Sequence, residues 1–230
     1  WQEEDSRKVD AIPDDIVDLS FSIDCKQLPV DHAYALSRAL NKALPWLEQE
    51  PLAATHLIHV AGSQHGWMCP EHSPDVLMHP SRRTKLILRT PNERITDMGQ
   101  LSGQTLDIAG HELTVGKYKI KPLSKLGTLF ARHIVCDRDE GEEQLLKRIS
   151  NELDRIDIRI RKALCGIETE LHTPEGPLFT RSLMLADLSQ EESIRLQQQG
   201  VGGHRLMGCG IFIPHKGIEA VNKTTDDESS

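Results

Sequence analysis

Apolar and polar residues alternate from Ile16 to Asp24 (IVDLSFSID), the period-two pattern of a strand with one buried face. Pro29 and Asp31 then open a helix, and Ala35, Leu36, Ala39, Leu40, Ala43 and Leu44 recur at helical spacing to about Leu47. Residues 55–61 read as a second strand, 62–80 as a loop rich in Gly, Pro, His and Ser, and 84–89 (TKLILR) as a third strand. Pro91 is suited to the start of a short second helix running to about Leu101. Residues 105–108 and 112–115 read as a strand pair turning at Ala109-Gly110.

The pattern then begins again. Residues 129–136 read as a strand, and 142–156 as an amphipathic helix with Leu145, Leu146, Ile149, Leu153 and Ile156 on one face. Strands are expected over 158–163, 168–173 and 178–186. Ser189 starts a helix with a capping-box acid, Glu192, three residues on; Gly200 ends it, and 209–214 make a last short strand. Two rounds of strand, helix, strands, helix, strand predict an α+β chain of two tandem ferredoxin-like (RRM-like) domains. We place an acidic N-terminal tail at 1–15, the first domain at 16–124, the second at 125–218 and an acidic C-terminal tail at 219–230.

Charge adjusts this picture locally. The net charge of −8 would disfavour a nucleic-acid binder if it were spread evenly. It is not: residues 1–15 hold six acids against two bases, and 219–230 hold four against one. Residues 82–132 hold ten Lys/Arg against four Asp/Glu, a basic band of the kind that phosphate binding requires. The five cysteines contain no Cys-x-x-Cys and are odd in number, which fits reduced thiols and not a disulfide framework. No apolar run reaches the ~18 residues of a spanning helix, so no membrane partner is expected and a cytoplasmic protein is.

The most specific signal is Gly200-Val-Gly-Gly-His-Arg-Leu-Met-Gly-Cys-Gly210, two Gly-x-Gly pairs between a helix and a strand. A dinucleotide fingerprint follows a strand and opens a helix, so this segment is not one. Successive backbone N–H groups of such a loop can form a nest for phosphate oxygens. Gly200, Gly202, Gly203, Gly208 and Gly210, with His204 and Arg205, are therefore candidate phosphate contacts. Residues 193–214 (SIRLQQQGVGGHRLMGCGIFIP) resemble the glycine-rich signature of the RAMP superfamily, specifically the CRISPR-associated repeat-RNA endoribonucleases of type I systems. The resemblance extends through 28–36 (LPVDHAYAL), 81–89 (SRRTKLILR) and 103–116 (GQTLDIAGHELTVG), and covers most of 16–216. It implies tandem ferredoxin-like domains and metal-independent cleavage of a CRISPR repeat RNA, with no cofactor. It also implies retention of the product as crRNA beside other subunits of a type I (Cascade-like) effector complex. The superfamily holds inactive relatives too, so a non-catalytic RNA-binding subunit is the alternative.

Such cleavage uses the RNA's own 2′-hydroxyl as nucleophile, and an imidazole suits the base that deprotonates it. His32, at the start of the first helix where the family often places its histidine, is the first candidate, with Tyr34 two residues on to orient the phosphate. His59 and His65 are the runners-up. Arg82, Arg83, Lys85 and Arg89 surround the third strand, and Lys117, Lys119 and Lys121 alternate so as to share one face. These seven are expected to track the RNA backbone. Aromatic content of 4% argues against base stacking on the sheet. His65, Cys69, His72 and His79 have zinc-ligand chemistry, but their spacing fits no established template, so no metal site is assigned.

Overall fold

A computed structural model describes residues 15–60 and 76–215. The acidic stretch 1–14, residues 61–75 and 216–230 lie outside the described residues, and with them His65, Cys69, His72 and almost all of both expected tails.

Among the described residues, eleven strands and four α-helices follow in the order β1 (Ile16–Asp24), β2 (Leu28–Pro29), α1 (Ala33–Ala43), β3 (Ala54–His56), β4 (Leu77–Met78), β5 (Lys85–Pro91), α2 (Ile95–Gly99), β6 (Thr105–Ile108), β7 (His111–Lys121), β8 (Leu129–Val135), α3 (Glu142–Asp154), β9 (Lys162–Thr173), β10 (Gly176–Ala186), α4 (Gln190–Gln199) and β11 (Ile213–Pro214). One sheet has the order β3-β5-β1-β7-β6 and the other β11-β8-β10-β9, with every pair antiparallel. Counting strands within each half, both sheets follow the ferredoxin-like sequence second-third-first-fourth, and β6 is an extra edge strand on the first. The fold class expected from the repeated pattern is the one observed.

Each half buries one face of its sheet beneath helices. Leu19, Phe21, Leu86, Leu88, Leu113 and Val115 meet Leu36 and Leu40 of α1 in the first core. Leu145, Ile149 and Leu153 of α3 meet Leu129, Ala131, Leu183 and Leu185 in the second. Full burial of each such leucine contributes roughly 1.5–3 kcal/mol. At the start of α4 the Ser189 side chain accepts from the Glu192 N–H, and the Glu192 carboxylate accepts from the Ser189 N–H, as the capping-box spacing predicts.

Several elements differ from the expectation: β3 covers only Ala54–His56, α1 stops at Ala43 ahead of Pro45, and β7 runs on to Lys121. Residues 158–163 and 168–173 are not two strands: one strand, β9, runs from Lys162 to Thr173, because Gly166 has no side chain to meet Ser182 across the pair. The second helix is shorter, a 3-10 turn over Asn92–Arg94 leading into five α residues. Only Ile213 and Pro214 of the last apolar run pair with β8.

The linker 122–128 is tied to α4. Gln197 Nε2 donates to the Ser124 carbonyl, its Oε1 accepts from the Ser124 N–H, and Ser193 Oγ donates to the Leu126 carbonyl. A fully buried guanidinium joins the halves: Arg89 on β5 donates twice to Asp18 on β1 and also to the carbonyls of Gln197 and Phe212.

Candidate nucleic-acid interface and active site

Strand register determines where the charges of the first sheet lie. Directly paired residues project from the same side of a sheet. Lys121 pairs with Asp18, which pairs with Arg89; Lys119 pairs with Ser20, which pairs with Ile87; Ser22 pairs with Lys85 and donates to the Lys117 carbonyl. Leu19, Phe21 and Tyr118 take the other side, in the core. The helix-free face therefore carries Lys85 and Lys117, Lys119 and Lys121, the last three exposed, as the alternation of lysines in the sequence predicts.

This face runs into a cleft of about 300 Å³ where the two halves meet. His56 at the end of β3, with Leu57 and His59 just after it, forms one wall, and Arg83, Thr84, Lys85 and Ile87 another. Arg132 and His133 of β8 and Gly208, Ile211 and Ile213 complete it. The cleft thus gathers three imidazoles and three cations around an aliphatic floor. His59, Arg83 and Arg132 are exposed, and Arg82 is exposed beside them in sequence. His133 is buried, its Nδ1 3.0 Å from Thr180 Oγ1, and Thr180 is in turn linked to Thr169 Oγ1 at 2.9 Å.

His56 lies over the buried ion pair, its Nε2 3.5 Å from Asp18 Oδ1. Burial lowers its pKa, and the Arg89 and Arg205 charges add to that, while Asp18 opposes it. The imidazole is thereby held in the neutral form, the form in which it can accept a proton. Burial opposes ionisation of Asp18, but the Arg89 guanidinium, with the His56 ring beside it, outweighs burial and holds the carboxyl well below its ordinary range.

Several sequence candidates occupy other places. Arg89, expected on RNA, is 0% exposed and spends its donors on Asp18 and two carbonyls. His32, expected as the base, is 1% exposed. Its Nδ1 lies 2.9 Å from the carbonyls of both Pro29 and Val30, and its Nε2 accepts from the Ile58 N–H at 3.0 Å. The ring is neutral in that arrangement, with its lone pair already engaged, so it braces the approach to α1. Tyr34 is half-buried against Ala33, Leu171, Met207 and Cys209 between the halves. The neighbouring Asp31 turns to the second half, where its Oδ2 lies 2.6 Å from His172 Nδ1 and accepts from the His172 N–H.

The glycine-rich segment is a wedge between the halves more than an open nest. Gly200 (φ 66°) and Gly210 (φ 67°) are buried, and a Cβ on Gly210 would stand 1.9 Å from the Val201 carbonyl oxygen. Arg205, expected on phosphate, turns inward: it caps the C-terminal carbonyls of α4 at Gln198 and Gln199 and reaches the Leu52 carbonyl. Burial pushes its pKa down to about 10, which leaves it charged at neutral pH. Gly202, Gly203 and His204 form an exposed tip, but the Gly202 N–H donates to the Glu152 carboxylate, not to open solvent. Gly208 alone of the segment's glycines lines the cleft.

Sequence reading missed His56, Arg132 and His133. The only signal for the first was its position three residues before His59; the other two depend on the docking of the halves. Among the described residues no group of three or more His, Cys, Asp or Glu is placed to hold a metal ion, and no helix is long and apolar enough to cross a membrane.

Comparison with known proteins agrees with this architecture. A family model described as Cas6 Crispr matches residues 17–217. The CRISPR-associated endonuclease Cas6 of Myxococcus xanthus is 30% identical over 199 residues, covering 86% of this chain and 81% of its own. Among solved structures, the Cas6-related protein of Pyrococcus furiosus aligns with a TM-score of 0.56 at 11% identity, over 87% of this chain and 99% of its own. The CRISPR endoribonuclease Cse3, bound to a 19-nucleotide RNA, aligns with a TM-score of 0.51 at 12% identity, over 86% and 96%. At these identities the two structures speak to fold.

Proposed function

The chain belongs to the Cas6 family, and from that premise we propose that it is a metal-independent endoribonuclease that binds a CRISPR repeat RNA, cuts the precursor beside it and keeps the product. The carrying observation is the cleft: three imidazoles and three cations at one end of a lysine-bearing sheet face.

In this reading Lys117, Lys119 and Lys121 track the RNA backbone and deliver the scissile phosphate to the cleft. His59 takes the proton from the 2′-hydroxyl. That oxygen attacks the adjacent phosphorus in line, the bond to the 5′-oxygen breaks, and the departing oxygen gains a proton. The ends are a 2′,3′-cyclic phosphate and a 5′-hydroxyl. Arg83, Lys85 and Arg132 offset the charge that builds on the phosphoryl oxygens. His56, neutral and held over Asp18, is the second imidazole within the same cleft. His32 is not given the base role, because its ring is committed to Ile58 and to two carbonyls. Retention of the cut RNA would make this chain the RNA-holding subunit of a larger effector complex.

The test is cleavage of labelled repeat RNA in EDTA by the wild type and by His59→Ala and His32→Ala. Cleavage in EDTA that falls at least ~100-fold in His59→Ala while binding persists supports the reading. Binding without cleavage by the wild type makes the chain a non-catalytic RNA holder, and a 2′-deoxy nucleotide at the cut site that is still cleaved refutes the nucleophile.

A further inference from the structure

We propose that the cleft seats one unpaired ribonucleotide, with its base against the aliphatic floor and its phosphate among the cations. The inference rests on the cleft being the RNA site of the proposed function, and it specifies what that site holds: a nucleotide drawn out of the helix, not a stretch of duplex.

Three observations carry it. First, the size: about 300 Å³ is the lower end of the range for small-ligand sites and suits one nucleotide, not a base pair. Second, the lining is divided by chemistry. Leu57, Ile87, Ile211 and Ile213 supply an apolar surface, whereas Arg83 and Arg132 supply charge. A phosphate alone requires only the second set. A base extruded from its stack is held by packing between apolar or aromatic walls, and this chain has aliphatic ones. Third, the apolar wall is maintained by a position that only glycine fits. Gly208 has φ 81°, and a Cβ there would meet Leu57 Cγ at 2.5 Å. A side chain at 208 would displace Leu57 from its place in the cleft wall. Gly208 thus has a use that a phosphate nest would not predict: it preserves the shape of an apolar surface.

The test uses the whole chain, ¹³C-labelled at Ile and Leu methyls. Uridine or adenosine 3′-monophosphate should shift the methyl signals of Leu57, Ile87, Ile211 and Ile213, whereas inorganic phosphate at equal concentration should leave them in place. In parallel, repeat RNA carries 2-aminopurine at each unpaired position in turn. One position should brighten at least about threefold on binding. Ile87→Trp, which fills the floor, should abolish both responses; its melting temperature reports whether it folds, and the wild-type methyl titration stands without it. Methyl signals unmoved by either nucleotide, with no position brightening, overturn the inference even if repeat RNA is cleaved. Conversely, a protein that shifts its methyls with nucleotide but cuts no RNA keeps the nucleotide site and loses the proposed reaction.

Discussion

The two halves share one strand order yet use their helix-free faces in opposite ways. In the first half that face carries Lys85, Lys117, Lys119 and Lys121; the three lysines of β7 are exposed, while Arg89 on the same face is covered by the second half. In the second, the Leu171–Val135–Leu178 region is covered by Ala33, Tyr34 and the glycine-rich wedge. One sheet presents charge to solvent along β7; the other receives the start of α1 and the glycine-rich segment. Topology does not make that difference. It comes from which residue types occupy the outward positions of an identical frame.

The largest expected contrast separates the two kinds of arginine on and beside β5. Arg89→Ala leaves Asp18 buried without its partner and should cost about 3–5 kcal/mol in denaturant unfolding. Arg83→Ala, three turns of sequence alternation away and exposed, should leave unfolding within about 0.5 kcal/mol of wild type and weaken RNA binding. Equal stability losses in the two variants would erase the distinction between tie and contact.

Next in size is His32→Ala, which strands the Ile58 N–H and two carbonyls. A loss of about 1–3 kcal/mol in stability is expected, with cleavage per folded molecule retained. Loss of cleavage at unchanged stability would return the base role to His32.

The open face itself is probed by Lys117→Ala/Lys119→Ala/Lys121→Ala. Each phosphate contact removed should flatten the dependence of log affinity on log salt by roughly 0.7 to 0.9, with little change in unfolding. An unchanged slope would mean the RNA passes elsewhere.

The smallest effect is on pH. His56 has a pKa below its ordinary 6.5 and Asp18 one below its ordinary 3.8 in the folded chain. In both, the unfolded chain binds the proton more readily, so their contribution to stability is intact above those ordinary values and is lost as pH falls through the folded ones. Melting temperature should therefore start to decline below about pH 6.5, and His56→Gln should remove the first part of that decline.

Much of the frame was readable because it rests on periodicity. Alternation located β1, β5 and the three lysines of β7, and Ser189 with Glu192 marked the start of α4. What could not be read depends on partners far along the chain. Nothing near Arg89 in sequence reveals Asp18, 71 residues away, or the carbonyls of Gln197 and Phe212. His32 looks catalytic until Ile58, 26 residues on, is seen to use its lone pair. The glycines were noticed for their number, but it is their neighbours that give each its reason: Val201 at Gly210, Leu57 at Gly208.

The Arg89 guanidinium has four hydrogen bonds, two within its own half and two to the other. A gene truncated after Lys121 would encode every strand of the first sheet, but its Arg89 guanidinium would exchange two protein carbonyls for water and the Arg89–Asp18 pair would lose its cover. The two sheets repeat one strand order, but this side chain has its acceptors divided between them.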